Sequence, residues 1–312
     1  MENQKFRLVT RSDFDGLVCA VLLKHLDMID EIRFVHPKDM QDGKIAISGR
    51  DITTNLPFVP GCHLAFDHHS SEIRRAGEQP AKNHIIDPDA LSAARVVYRF
   101  FGGARNFPRI SEEIMDAVDK ADSARFTVAE ILRPEGWALL SFLMDSRTGL
   151  GRFRQFRISN YELMMQLIDY CRNHTIEQIL ALPDVDERVK LYREHETPFR
   201  EQLMRCSRVH RDVVVLDLRN EETIFAGNRF MIYALFPECR VSMHVLCGLK
   251  KQNTVFAIGR SIIDRTSTVD IGDLCLSYGG GGHEAAGTCQ VANDAADAVL
   301  TQLLQRLAGP AH

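Results

Sequence analysis

Apolar and polar positions along the first third of the chain fall into short runs that change period. Phe6, Leu8 and Val9 open a strand-like run over 6–10, which breaks at Ser12-Asp13-Phe14-Asp15-Gly16. The apolar stretch over 17–29 then reads as a buried helix. Three more strand candidates follow at 32–35, 44–47 and 63–66, with turn residues between them. Strand and helix alternating in this way predict a parallel sheet flanked by helices. Apolar spacing is helical over 92–101, 111–121, 137–144 and 160–180. Residues 186–208 interleave charges, with Pro183 and Pro198 as punctuation, and read as a solvated helical connection. Beyond it, 213–217, 231–235, 241–245 and 254–258 read as strands at short spacing, followed by a glycine loop at 279–282 and a helix over 295–307. The expected fold class is α/β: a first domain over 1–185, a helical linker over 186–210 and a smaller α/β domain over 211–312.

A length of 312 residues suits two cores of this size. Thirty-eight basic against 42 acidic residues leave a net charge of −4, which excludes a globally basic binder of long duplex nucleic acid. No apolar run approaches the ~20 residues of a membrane span. The opening Met1 to Lys5 lacks the apolar region of a signal peptide, so a cytoplasmic protein is expected. Eight cysteines without a C-x-x-C pair read as reduced core residues, not as a zinc site.

The chemistry concentrates at strand ends. Asp13 and Asp15 flank Phe14 where the first strand runs into its helix. Ligands of open α/β sheets bind at that end, and two carboxylates so placed reach one cation or two adjacent ones; a helix-capping aspartate explains the same pattern. Asp51 is expected to end the third strand, and Asp67-His68-His69 the fourth. Carboxylate with imidazole suits manganese, magnesium or iron better than a thiolate-bound zinc. Asp119 and Asp122 lie at a predicted helix end where the dipole disfavours anions; the choice there is between a cation site and a solvated helix end.

Five motifs in one order, Asp13-Phe14-Asp15-Gly16, Asp51, Asp67-His68-His69, Asp122 and Gly279-Gly280-Gly281-Gly282-His283, resemble the DHH phosphoesterase superfamily. The likeness is to the branch with a DHH-associated C-terminal domain, which holds nanoRNases, pAp phosphatases, cyclic-dinucleotide phosphodiesterases and exopolyphosphatase-related proteins. It spans positions 13–287. The resemblance implies two divalent ions, Mn2+ or alternatively Mg2+, with Asp51 bridging them, Asp15, His68 and Asp122 completing one site and Asp13 belonging to the other. It implies that Asp67 and His69 orient His68 or handle the leaving-group proton, so that Asp67, His68 and His69 are the catalytic set. Gly280, Gly281, Gly282, His283 and Arg260 would bind substrate across a cleft between the domains.

One position departs from the family. Many relatives carry a histidine ligand two or four residues ahead of the first motif aspartate; here those positions are Arg11 and Val9. Arginine has no lone pair for a metal. Either Arg11 binds the substrate phosphate while another residue, such as His36, completes the site, or the first ion is weakly held. His25, His63 and His84 read as structural, Ser92 as a helix cap, and Arg147, Arg152, Arg154 and Arg157 as an arginine patch that either attracts phosphates or is a solvated loop.

The resemblance implies hydrolysis of short oligonucleotides or small phosphorylated nucleotides by metal-activated water. Inorganic polyphosphate hydrolysis is the alternative within the enzyme class, and a nucleotide-binding regulatory protein with a degenerate metal centre is the alternative outside it. Relatives dimerise, so a homodimer is implied, although no exposed apolar stripe in the sequence marks its interface.

Overall fold

The computed structural model describes residues 5–69, 72 and 81–307; residues 1–4, on which the reading of the amino terminus rests, lie outside them. The chain divides into two compact units, Met1–Phe126 with Pro134–Leu191, and Thr127–Arg133 with Tyr192–His312.

The first unit holds five parallel strands, β1 (Phe6–Arg11), β2 (Ile29–Val35), β3 (Asp51–Thr54), β4 (Leu64–Asp67) and β5 (His84–Ile86), in the order β2-β1-β3-β4-β5. Helix α1 (Phe14–His25) is buried all along 14–23. That explains its lack of polar alternation, because it packs against α3 (Ala93–Phe100), α4 (Glu112–Asp122) and α7 (Asn160–Asn173) besides the sheet. The short α2 (Pro37–Gln41) lies between β2 and β3.

Two strand expectations change here. Residues 44–47 form no strand. Ile45 and Ile47 belong to a loop that packs them against Val9, Val35, Met40 and Leu56, so their alternation reflects docking on the sheet and not membership of it. The strand begins later, at Asp51, and every one of its four residues is buried. Asp51 therefore opens β3 and does not end it. The polar sequence Asp-Ile-Thr-Thr hides a central strand whose hydroxyls pair internally, Thr54 Oγ1 with Thr10 Oγ1 at 2.7 Å. Strand β5 carries no strong sequence signal; His84 is buried there and stacks on Phe58 at 4.4 Å.

The helical stretch over 160–180 is two helices. Helix α7 starts at a Ser159/Glu162 capping box and ends at Asn173, and a second box, Thr175 with Gln178, starts α8 (Ile176–Leu180). A Thr-x-x-Gln after a helix end is a restart signal in the sequence. Helix α6 (Gly136–Met144) completes the apolar interior of this unit. Helix α9 (Pro183–Cys206) begins in the first unit and continues into the second.

The second unit is built on a six-stranded mixed sheet: β6 (Ser207–His210), β7 (Val213–Asp217), β8 (Val241–Cys247), β9 (Thr254–Arg260), β10 (Gly281–His283) and β11 (Ala286–Val291), in the order β10-β11-β9-β8-β7-β6. Only the β7–β8 pair is parallel. One face of this sheet, with Val213, Val215, Val241, Met243, Val245, Phe256 and Ile258, packs on α11 (Ile271–Leu276) and α12 (Ala296–Leu307). Residues 231–235, expected as a strand, are the helix α10 (Met231–Leu235). A five-residue apolar run does not distinguish the two states, and here the turn at Asn228, whose side chain accepts from Phe230 N at 2.9 Å, starts a helix. It packs on α5 (Val128–Leu132). All eight cysteines are free and six are buried. No helix among the described residues is long and apolar enough to cross a membrane.

Candidate metal centre

Three chain segments supply the centre, and each is held in place by backbone chemistry. Asp13 is the N-cap of α1, its Oδ1 accepting from Gly16 N at 3.0 Å. The capping reading of this aspartate thus holds, whatever else it does. The chain turns so tightly that a Cβ on Gly16 would sit 2.0 Å from the Arg11 carbonyl oxygen, which is why the motif needs glycine there. Asp15, one residue into α1 and 2% exposed, accepts from the amides of Ala93 and Ala94 at 3.0 and 2.8 Å. Those are the first amides of α3, so this carboxylate occupies the helix N-terminus. Ser92 caps α3 through Arg95 N and donates to Asp119 at 2.6 Å. Asp119 also accepts from Arg95 at 2.7 Å and so belongs to a structural ion pair.

At the end of β4, the Asp67 Oδ1 atom accepts from the amides of His68 and His69 at 2.7 and 2.9 Å and lies 2.6 Å from His69 Nδ1. One buried oxygen therefore fixes the backbone at both histidines and the ring of His69. His68 Nε2 lies 2.8 Å from Asp122 Oδ2, where α4 ends, yet among the described residues that nitrogen makes no well-oriented hydrogen bond. Asp15, His68 and Asp122 bring ligand atoms within 4.8 Å of one another, as do Asp67, His68 and His69.

The electrostatics follow from crowding acids in a dry place. Burial, and then Asp122, push Asp15 up to about 8. Burial also raises Asp13, against the opposing pull of Arg11. Burial disfavours the charged form of His68, but the close contact with Asp122 and the neighbouring carboxylates outweigh it and carry it to about 9. Burial likewise opposes ionisation of Asp122, which His68 nevertheless holds below the ordinary carboxylate range. His69 is raised by Asp67 in spite of its burial. A cluster in which Asp13 and Asp15 are both forced toward neutrality is short of positive charge.

Asp51 is not part of this cluster. It pairs in register with Arg7, whereas Thr54 pairs with Thr10, so it lies about 10 Å along the strand from the carboxyl end. There it accepts from Arg7 Nε at 2.6 Å and from Ser48 N at 2.6 Å. The residue that does reach Asp13 from β3 is Asn55, whose Nδ2 lies 3.3 and 3.4 Å from the two carboxylate oxygens. Asn55 is buried, adopts φ 54° and leaves its Oδ1 without a partner among the described residues. The signal for it was an Asn after two threonines and before Leu-Pro, a strand ending in a turn. Asp51→Ala is expected to cost about 1–3 kcal/mol of stability through the lost Arg7 and Ser48 bonds and to leave metal uptake unchanged. Urea midpoints and bound metal per chain measure the two.

Arg11 ends β1 with its Nε 2.9 Å from Asp13 Oδ2. His36 is exposed at the start of α2, where its Nδ1 accepts from Lys38 N, and is not gathered into the centre. Of the arginine patch, Arg147 bonds Asp145 at 2.7 Å and is close enough to Asp13 and Asp122 for both to favour its charge, a proximity the sequence did not reveal. Arg157 instead forms a two-bond ion pair with Asp184.

In the second unit, the glycine run is only partly a loop. Gly281, Gly282 and His283 form β10, an edge strand paired with β11, and Gly280 N donates to Cys275 O at 3.0 Å. The glycines there answer to packing, since a Cβ on Gly282 would meet the Ala286 carbonyl oxygen at 2.3 Å. His283 is exposed. Arg260 donates to Val269 O at 2.7 Å and to Glu284 at 2.9 Å, and its buried Nη2 has no partner among the described residues.

Among solved structures the chain is similar to PggH, a pGpG-specific phosphodiesterase from Vibrio cholerae, with 59% identity and a TM-score of 0.84 over 97% of this chain and 99% of that one. CDC45 from Entamoeba histolytica, 8% identical, shares the fold with a TM-score of 0.54 over 98% of this chain and 96% of its own. No family model and no curated protein matches.

Proposed function

Because the chain belongs to the DHH phosphoesterase superfamily, we propose that it is a metal-dependent phosphodiesterase hydrolysing short oligonucleotides, with a guanine dinucleotide of the pGpG type as first candidate. The observation that carries this reading is the gathering of Asp15, His68 and Asp122 within 4.8 Å in a chain 59% identical to a pGpG-specific phosphodiesterase.

The donor set fits one divalent ion. Two carboxylates and an imidazole suit Mn2+ or Mg2+, the buried His68 Nε2 lies 2.8 Å from Asp122 without a well-oriented hydrogen bond among the described residues, and Asp15 is pushed toward its neutral form. Asp15, His68 and Asp122 would hold it. Such an ion, when bound, supplies charge against the phosphoryl oxygens and lowers the pKa of water. The residues around Asp13 fit a second ion poorly, because a guanidinium and a carboxamide occupy its oxygens.

The remaining roles belong to the chain itself. Asp67 fixes the ring of His69 and favours its protonated state, so His69 is suited to give a proton to the leaving oxygen. Arg11 and Arg147 bring positive charge to the Asp13 side, where phosphoryl oxygens would be neutralised. In the second unit, Arg260, whose Nη2 has no partner among the described residues, and the edge strand ending at His283 are the candidate substrate-binding groups. The first unit thus serves catalysis and the second substrate binding.

The test is hydrolysis by metal-stripped protein resupplied with Mn2+, offered pGpG, pApA, pAp and polyphosphate. Turnover of pGpG, lost in Asp67→Ala, is the expected result. Turnover of polyphosphate alone would overturn the nucleotide reading, and binding of pGpG without turnover would mark a regulatory protein.

A further inference from the structure

The surroundings of Asp13 differ from those of Asp15 in one decisive way. Asp15, besides the two α3 amides it accepts from, faces an imidazole and a carboxylate, both potential metal ligands. The groups that touch the Asp13 carboxylate are all donors, Arg11 Nε at 2.9 Å, Asn55 Nδ2 at 3.3 and 3.4 Å and Gly16 N at 3.0 Å, although Asp122 is near enough to act on it through space. Among the described residues Asp13 joins no group of three potential metal ligands. The carboxylate that might have joined it, Asp51, stands at the other end of β3. Where the strand ends, an amide nitrogen points at Asp13 instead.

These donors do for a carboxylate what a cation does. The Arg11 guanidinium is a cation without a free lone pair, and its planar fork leaves further N–H groups for phosphoryl oxygens beyond the one that meets Asp13. It is held on the last residue of β1, whose carbonyl the chain packs against at Gly16. A divalent ion brought to Asp13 would have to displace this guanidinium and would be repelled by it and by Arg147.

We propose that Arg11, supported by Asn55, takes the place of the first of the two ions, so that the centre is mononuclear at Asp15, His68 and Asp122 and its second positive charge is a guanidinium. This rests on the metal-dependent reading above. A centre of this kind needs one equivalent of metal for full activity, and the positive charge of its guanidinium cannot be chelated away.

The experiment counts metal in the full-length protein. Chains stripped with a chelator are dialysed against Mn2+, bound manganese per chain is measured by elemental analysis, and spectra are recorded by low-temperature electron paramagnetic resonance. Wild type is expected to hold one ion with the six-line signal of isolated Mn2+, and His68→Ala none. Arg11→His combined with Asn55→Asp is expected to hold two, with the broadened multiline signal of a coupled pair. Two ions in wild type would overturn the proposal while leaving metal dependence intact; none would overturn both. A folded double variant that still takes one ion would also sink it, by showing that these residues are not what excludes the second. Should the double variant fail to fold, Arg11→Gln decides. It is expected to keep one ion yet lose about a hundredfold in kcat, as for removal of one charge-stabilising donor, and unchanged kcat would overturn the role given to Arg11.

Discussion

His68→Ala is expected to lower kcat/KM for a short dinucleotide by about a thousandfold and to abolish metal uptake together with it. The magnitude follows from treating the lost charge stabilisation as roughly 4 kcal/mol, where 1.36 kcal/mol is a factor of ten. The imidazole is the one group shared by both ligand clusters of the first unit, and its removal leaves Asp15 and Asp122 facing each other without a cation between them. Their mutual repulsion in a buried place would neutralise one of the two. His69→Ala separates the roles. It leaves Asp15, His68 and Asp122 in place, so metal uptake should persist while turnover falls, by about 10²–10⁴ if its proton is the one given to the leaving group. Equal loss of metal in both variants would mean that the histidines act as one ligand set and that the assignment of proton transfer to His69 is wrong.

Arg188→Ala is expected to cost about 3–5 kcal/mol of stability, the range for breaking a buried, hydrogen-bonded charge network. The side chain is fully buried. It donates to Asn160 Oδ1, Asp184 O, Glu187 Oε1 and Ile158 O at 2.6–3.0 Å and lies over the Phe156 ring at 4.2 Å. Alanine would orphan these acceptors and open a cavity beside α9. Burial pulls the arginine's pKa down but leaves it charged, so the loss should be nearly constant between pH 6 and 9. Arg188→Lys should recover little, because an ammonium cannot reach four acceptors in the directions a guanidinium does. Urea denaturation of the purified variants measures both, and a loss below about 1 kcal/mol would show that the network relaxes around the gap. Given ordinary stabilities of 5–15 kcal/mol, the alanine variant is also expected to accumulate poorly.

Where most of the candidate ligands stand in the fold could be read from spacing. Asp13 and Asp15 at the end of β1, Asp67-His68-His69 at the end of β4 and Asp122 at the end of α4 stand where strand–helix alternation placed them, because a parallel sheet presents the same end of every strand to one side. Asp51 was misread for a related reason. The apolar loop 44–47 imitates a strand, while the real strand is written in Asp, Ile, Thr and Thr, whose burial depends on neighbours on both sides. Shifting the strand by that much carries Asp51 to the far end and brings Asn55 to the near one. The 231–235 helix and the β10 strand were misread because short apolar or glycine-rich runs carry no period of their own.

The local pattern of this chain settles its α/β class, its acidic strand ends and its helix caps, since each is a matter of neighbours a few residues apart. What the pattern leaves open is which donors meet across the sheet. Arg11 against Asp13, Asn55 against the same carboxylate, and the α3 amides on Asp15 join positions 2 to 79 residues apart. Whether an arginine beside an aspartate is a surface charge or a fixed substitute for a cation depends on the dielectric and on what else occupies the carboxylate's oxygens, and both are properties of the packed fold.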